Sequence, residues 1–154
     1  MNSYDWRNKM NQEICSKIHR INYLIAEMDA LYHQASLKIG LSDSACIVLY
    51  TIYDQGEECL LSDIYKQSGI SKQTVNSALR ILEKKQIIYL ENISGRTKKV
   101  VLTAEGKEYV QNTVARLFDA EAAAFASWTE EEMKAYIGYM EKYTVLFQEQ
   151  VKKL

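Results

Sequence analysis

The sequence predicts a mainly α-helical protein carrying one small β-hairpin, and three observations lead there. Apolar residues recur in steps of four and three through Ile14, Ile18, Ile21, Ile25, Met28, Tyr32 and Ala35, and again through Met133, Ile137, Met140, Thr144, Phe147 and Val151. That is the period of helices that pack on other helices. The chain has no proline to kink or stop them. Only between Ile87 and Leu102 does the pattern turn β-rich.

The elements follow in order. The first stripe makes a long helix that ends at Gly40. Ser42 or Asp43 can cap a second helix running to Tyr53, whose apolar members Ala45, Cys46, Val48, Leu49 and Ile52 cover more than one narrow face and mark it as central and buried. After Gln55-Gly56 a short helix covers about Ser62 to Gln67, and Ser68-Gly69 supplies a stop that tolerates left-handed backbone. A fourth helix begins at Ser71. Ile87-Ile88-Tyr89-Leu90 and Lys99-Val100-Val101-Leu102 then read as two strands around the polar tip Asn92-Ile93-Ser94-Gly95-Arg96. Thr103 can cap the next helix, with Gly106 in its first turn and Val110, Val114, Leu117 and Phe125 continuing its apolar face. The last helix begins near Thr129, where three glutamates sit at the positive end of its dipole. The expected order is four helices, a hairpin and two helices.

Composition bounds the function. With 154 residues and 47% hydrophobic content the chain has the size of one domain and apolar material for a core that needs no disulfides. A net charge of -1 argues against both disorder and a uniformly cationic surface, so any polyanion site must be local. The three cysteines, Cys15, Cys46 and Cys59, have no C-x-x-C spacing and an odd count, which fits a reducing cytoplasm. No basic-then-apolar leader is present, and no apolar run approaches the roughly 18 residues of a membrane span. The expectation is a soluble cytoplasmic protein without membrane contact.

The chemistry is concentrated in 68-SGISKQTVNSALRILEKKQII-88. Two helices joined by the short glycine-containing turn Ser68-Gly69-Ile70-Ser71 form the helix-turn-helix pattern that enters a DNA major groove. At 100° per residue, Gln73, Asn76, Ser77, Arg80 and Lys84 share one face, and Val75, Ala78, Leu79 and Leu82 share the other. Ser71 caps the helix, so Lys72 and Thr74 lie beside amides suited to a phosphate. Asparagine and glutamine can pair bidentately with adenine and arginine with guanine, which makes Gln73, Asn76 and Arg80 the base-contact candidates. Ser71, Lys72, Thr74, Ser77 and Lys84 are the phosphate candidates on this helix, and Lys98 and Lys99 join them from the hairpin. From Ser62 to Lys99 eight basic residues face three acidic ones, whereas residues 102–154 carry nine acids and six bases. Positive charge is gathered where a polyanion would sit.

The segment from Leu60 to Gly106 resembles the winged helix-turn-helix of the MarR family of bacterial transcription regulators, down to the V-x-L-T-x-x-G phrase at Val100, Leu102, Thr103 and Gly106. The resemblance implies a mainly α dimer with a two-stranded β-wing, its long N- and C-terminal helices forming the dimerisation region. On this division residues 41–102 are the DNA-binding lobe, and residues 1–40 with 103–154 are the helical dimerisation region of one continuous domain. It implies a homodimer on double-stranded DNA with a palindromic operator, repressing nearby genes until a small effector releases it. Two positions depart from the family pattern. Ser94-Gly95-Arg96 stands in place of D-x-R, so Arg96 remains the wing-tip contact without its acidic neighbour. Leu60 stands where a serine or threonine commonly caps the first helix of the motif, leaving a backbone-only or Ser62 start.

Members of the family commonly bind small aromatic effectors, and Tyr23, Tyr50, Tyr53 and Tyr65 are the candidates among 11 tyrosines to line such a cleft. Some relatives sense oxidants through a cysteine near the start of the first helix, where Cys15 stands. Cys15 with His19 offers only two ligands on one helical face, and His33 lies too far along to join them, so neither a metal nor another cofactor is expected. No nucleophile elbow, phosphate loop, dinucleotide fingerprint or H-E-x-x-H is present, so catalysis has no support. The remaining alternatives are a thiol-based redox regulator and a helical adaptor whose winged motif has lost DNA binding.

Overall fold

The computed structural model describes residues 3–154, with side chains from residue 11 onward. The first helix, α1, runs Ser3–Lys38, and Gly40 turns the chain in left-handed backbone at φ 74°. Ser42, not Asp43, caps α2 (Asp43–Asp54) by accepting from the Ala45 amide at 3.3 Å. As its broad apolar face requires, α2 is central: Ala45, Cys46, Val48, Leu49, Thr51 and Ile52 are all buried.

A short strand that the local pattern does not reveal follows, β1 (Glu58–Leu60). It leads directly into α3 (Leu61–Gln67), whose N-cap is Leu60 with no side-chain hydrogen bond, the backbone-only start that the missing serine or threonine implies. After the turn at Gly69, α4 (Lys72–Lys84) begins at the Ser71 cap and buries Val75, Ala78, Leu79 and Leu82. The hairpin is β2 (Ile88–Ser94) with β3 (Thr97–Leu102), longer than the expected apolar pieces because the polar tip is itself paired up to Ser94↔Thr97. Strand β1 adds antiparallel to β3 through Glu58↔Val101, Cys59↔Val100 and Leu60↔Lys99. The sheet is therefore three-stranded in the order β1-β3-β2, and only β2 and β3 extend as the wing.

The helix expected to run from Thr103 to Phe125 is two helices, α5 (Ala104–Asn112) and α6 (Val114–Phe125). The break is at Thr113, whose hydroxyl donates to the Tyr109 carbonyl at 2.7 Å while its amide bonds Val110 three residues back. A hydroxyl that captures the i−4 carbonyl offers the backbone an alternative to the helical ladder. Apolar spacing is preserved across this break, since Val110, Val114 and Leu117 are all buried.

Gly106 explains the last residue of the V-x-L-T-x-x-G phrase. Its amide donates to Thr103 Oγ1 at 2.8 Å, and a Cβ added at Gly106 would fall inside the Ile87 carbonyl. Thr103 also donates from its hydroxyl to the Gln86 carbonyl at 2.6 Å and from its amide to the Ile87 carbonyl at 3.0 Å. The start of α5 is thus fastened to the turn that leaves α4.

Two compact units divide the chain after Leu117. The first holds the core, built from Leu49, Ile52, Ile64, Val75, Leu82, Ile88, Val100 and Val110, each at most 1% exposed. The second, Phe118–Leu154, holds the end of α6 and the helix α7 (Glu130–Val151). Thr129 and Glu132 close a reciprocal capping box at the start of α7, accepting from the Glu132 amide and the Thr129 amide respectively. Trp128 packs edge-on against Phe125 and Tyr136, with centroids 5.1 and 5.4 Å away.

Within the single chain the stripes of α1 and α7 are not covered. Ile14, Ile18, Ile21, Ile25 and Met28 are exposed on α1, and Ile137, Met140, Phe147 and Val151 on α7. Among the described residues no single helix is long and apolar enough to cross a membrane.

Candidate nucleic-acid interface

α4 owes its orientation to the partition of its side chains. The four buried residues fix one face to the core, and this leaves Lys72, Gln73, Thr74, Ser77, Arg80 and Lys84 exposed on the other. Ser71 Oγ accepts from the Thr74 amide at 3.1 Å and lies 2.8 Å from the Thr74 hydroxyl, so both of these phosphate candidates are ordered at the helix start. The amides of Lys72 and Gln73 have no intrahelical acceptor at this position, and they add the positive end of the helix dipole. Ser77 is tied back to its own helix, donating to the Gln73 carbonyl at 3.0 Å. Arg80 and Lys84 have no ion-pair partner among the described residues.

Asn76 is placed differently from its neighbours. It is half-buried, and its Oδ1 accepts a hydrogen bond from the Tyr65 hydroxyl of α3 at 2.8 Å. The Tyr65 ring also lies under Lys72, with Nζ 5.4 Å from the centroid, within the range of a cation–π contact. One tyrosine of the first motif helix therefore touches two residues of the second.

In the wing, Gly95 at φ 53° makes the two-residue turn that presents Arg96 at the tip. The register slips between Asn92 and Ser94, leaving Ile93 as the extra residue of a bulge and 52% exposed. Arg96 and Lys98 are exposed and have no ion-pair partner among the described residues, so Arg96 lacks the acidic anchor that the departure from D-x-R removes. Lys99 differs from both. Its Nζ sits 3.1 Å from Glu58 Oε2 and 3.3 Å from Glu91 Oε2, bridging the outer strands across β3. The hydrogen bond it donates to Glu58, then the one it donates to Glu91, holds the ammonium above the usual lysine range. Lys99 is a cation paired with carboxylates of both neighbouring strands, unlike Arg96 and Lys98. Local counting of charge cannot reveal this, because the two carboxylates come from strands on either side of it, one of them the unforeseen β1.

The four effector candidates do not share one environment. Tyr23 is exposed on α1, donating to Glu27 Oε1 at 2.9 Å with Arg20 5.4 Å above its ring. Tyr50, Tyr53 and Tyr65 are half-buried against the core. Cys15 is exposed on α1 while Cys46 and Cys59 are buried. Burial, with Asp63 adding to it, pushes the Cys59 thiol up to about 11. His33 of α1 pairs with Asp43 at the start of α2 at 2.9 Å. Among the described residues no group of three or more His, Cys, Asp or Glu is arranged to hold a metal ion.

Comparison with known proteins bears on the fold. The MarR family model matches residues 39–96, from the end of α1 to the wing tip. S. aureus MepR, solved as a complex with DNA, has the same fold with TM-score 0.64, at 22% identity over 84% of this chain and 96% of its own. Sco3205 of Streptomyces coelicolor, a MarR family transcriptional regulator solved in complex with DNA, matches at 21% identity over 83% of this chain and 84% of its own, TM-score 0.64. BpsR of Bordetella bronchiseptica, whose DNA binding is regulated by 6-hydroxynicotinic acid, matches at 20% identity over 81% and 98%, TM-score 0.62. At these identities the likeness is one of fold. No curated protein matches the chain in sequence.

Proposed function

We infer, from the match of residues 39–96 to the MarR family model, that this chain is a DNA-binding transcription regulator of that family. The observation that carries the reading is α4 itself. A helix anchored by four buried residues exposes Lys72, Gln73, Ser77, Arg80 and Lys84 on its outer face, in a lobe whose wing ends in Arg96 and Lys98. Ser71, Thr74 and Asn76 complete the contact set on the helix, and Lys99 stands behind it as a sheet cation rather than a first phosphate contact.

The active species is a homodimer. The uncovered stripes of α1 and α7 support this, because apolar area of that length gains stability only when a second copy removes it from water. Two recognition helices then enter successive major grooves about one helical turn apart on a palindromic operator, with the wings on the flanks. Bound near a promoter, the dimer represses by occlusion. A small aromatic effector releases it; the aromatic ligand of the similarly folded BpsR and the tyrosines of α2 and α3 support that class of molecule.

The test is binding to the DNA upstream of the protein's own gene, followed by electrophoretic shift or fluorescence anisotropy at increasing salt. Sequence-preferring binding that weakens as salt rises is the expected result, since phosphate neutralisation releases counterions. Binding without sequence preference or salt dependence would sink the reading. The exposed thiol Cys15 favours one second reading, oxidant control of the same regulator. DNA affinity that is unchanged after peroxide treatment excludes it.

A further inference from the structure

Asn76 lies on the helix proposed to read DNA and is held by a side chain from outside that helix. Gln73 and Arg80 are exposed, whereas Asn76 is half-buried and its Oδ1 accepts from the Tyr65 hydroxyl of α3 at 2.8 Å. The terminal torsion of an asparagine is broad and roughly two-fold, so a carboxamide without a partner turns through many orientations. A hydrogen bond from an anchored donor narrows that choice. Tyr65 is such a donor, because it packs against the core beside the fully buried Ile64 and its ring lies under the Lys72 ammonium.

This bears on what Asn76 brings to a complex with DNA. After accepting from Tyr65, the carboxamide keeps both Nδ2 protons and the second lone pair of Oδ1 for a base edge. The arrangement therefore selects no base. It removes instead a rotational freedom that binding would otherwise have to freeze, which is one of the costs of ordering a side chain at an interface. We propose that Tyr65 is a positioning residue for sequence recognition, whose hydroxyl orients the Asn76 carboxamide before DNA arrives, so that the contribution of Asn76 to sequence choice depends on Tyr65. The inference rests on the DNA-binding reading of α4 and adds a residue outside that helix on which one of its contacts depends. It also gives Tyr65 a task independent of any effector.

A double-mutant cycle on the full chain tests it. The wild type selects its preferred duplex from a randomised pool. Affinities for that duplex and for a scrambled one of equal length are then measured with the wild type, Tyr65→Phe, Asn76→Ala and the double variant. The readout is the ratio of the two affinities, which a partial loss of folded protein leaves where it is. Asn76→Ala should lower the ratio on the order of tenfold. Tyr65→Phe keeps the ring under Lys72 and removes only the hydroxyl, so it should lower the ratio about two- to tenfold. It should have no further effect once Asn76 is alanine, because the two residues act as one unit. A packing defect between α3 and α4 would instead lower the ratio by the same factor in both backgrounds. Such additive effects, a ratio unmoved by Tyr65→Phe, or one unmoved by Asn76→Ala overturns the proposal while DNA binding stands. A wild type that selects no sequence overturns the DNA-binding reading and this inference with it.

Discussion

Gly106 lies so close to the Ile87 carbonyl that even one methyl group has nowhere to go, because the obstacle is backbone rather than a flexible side chain. Gly106→Ala should therefore destabilise the protein by about 1–3 kcal/mol, the usual cost of overpacking, despite the higher helix propensity of alanine. A urea titration that finds the variant as stable as the parent would refute this. Cys59 carries a second residue-scale consequence. Its folded pKa of about 11 exceeds the ordinary 9.0, so between these values the folded chain keeps a proton that the unfolded chain has lost. Its contribution is intact below about pH 9 and falls as pH rises toward and through 11. Stability of the parent should drop over that interval more than that of Cys59→Ala, which chemical denaturation at pH 8 and pH 10.5 measures. At pH 8 a small alkylating reagent should label exposed Cys15 well ahead of buried Cys46 and Cys59. Equal labelling of the native protein would contradict the burial.

At the scale of elements, the proposed DNA-binding role divides the work of α4 and the wing by chemistry. Arg80→Ala should relax sequence choice at one position by about 1–3 kcal/mol, whereas Lys98→Ala should weaken all sequences alike and lower the salt slope by roughly one. Equal effects from the two changes would contradict the division. The same elements mark where sequence is informative. The faces of α2 and α4, the Ser71 cap, the hairpin and the α7 capping box are legible because each is specified by residues within one or two turns. The strand β1 is not legible, since three residues with one buried cysteine become a strand only through pairing with β3 some forty residues later. The break at Thr113 is hidden by an apolar spacing that continues through it. The candidate contacts on α4 follow from helical geometry, but the grip of Tyr65 on Asn76 and of Glu58 and Glu91 on Lys99 depends on side chains from other elements.

For the whole molecule, the proposed dimer would use the uncovered stripes as its interface. Ile21→Asp places a charge in the middle of the α1 stripe and should convert a dimer into monomers, as read by sedimentation. Affinity for a palindromic duplex should fall by more than tenfold, because two linked half-sites bind far more tightly than one. A variant that remains dimeric would place the interface elsewhere. Segregated charge then gives the protein its character despite a net value of -1. The fastening of Thr103 to Gln86 and Ile87 has a further meaning for this assembly. A backbone joint held at that many points has little conformational entropy left to lose, so docking orders almost nothing at the C-terminal end of α4. In the proposed complex the ordering cost of association would fall instead on long side chains such as Arg80, Lys84 and Arg96.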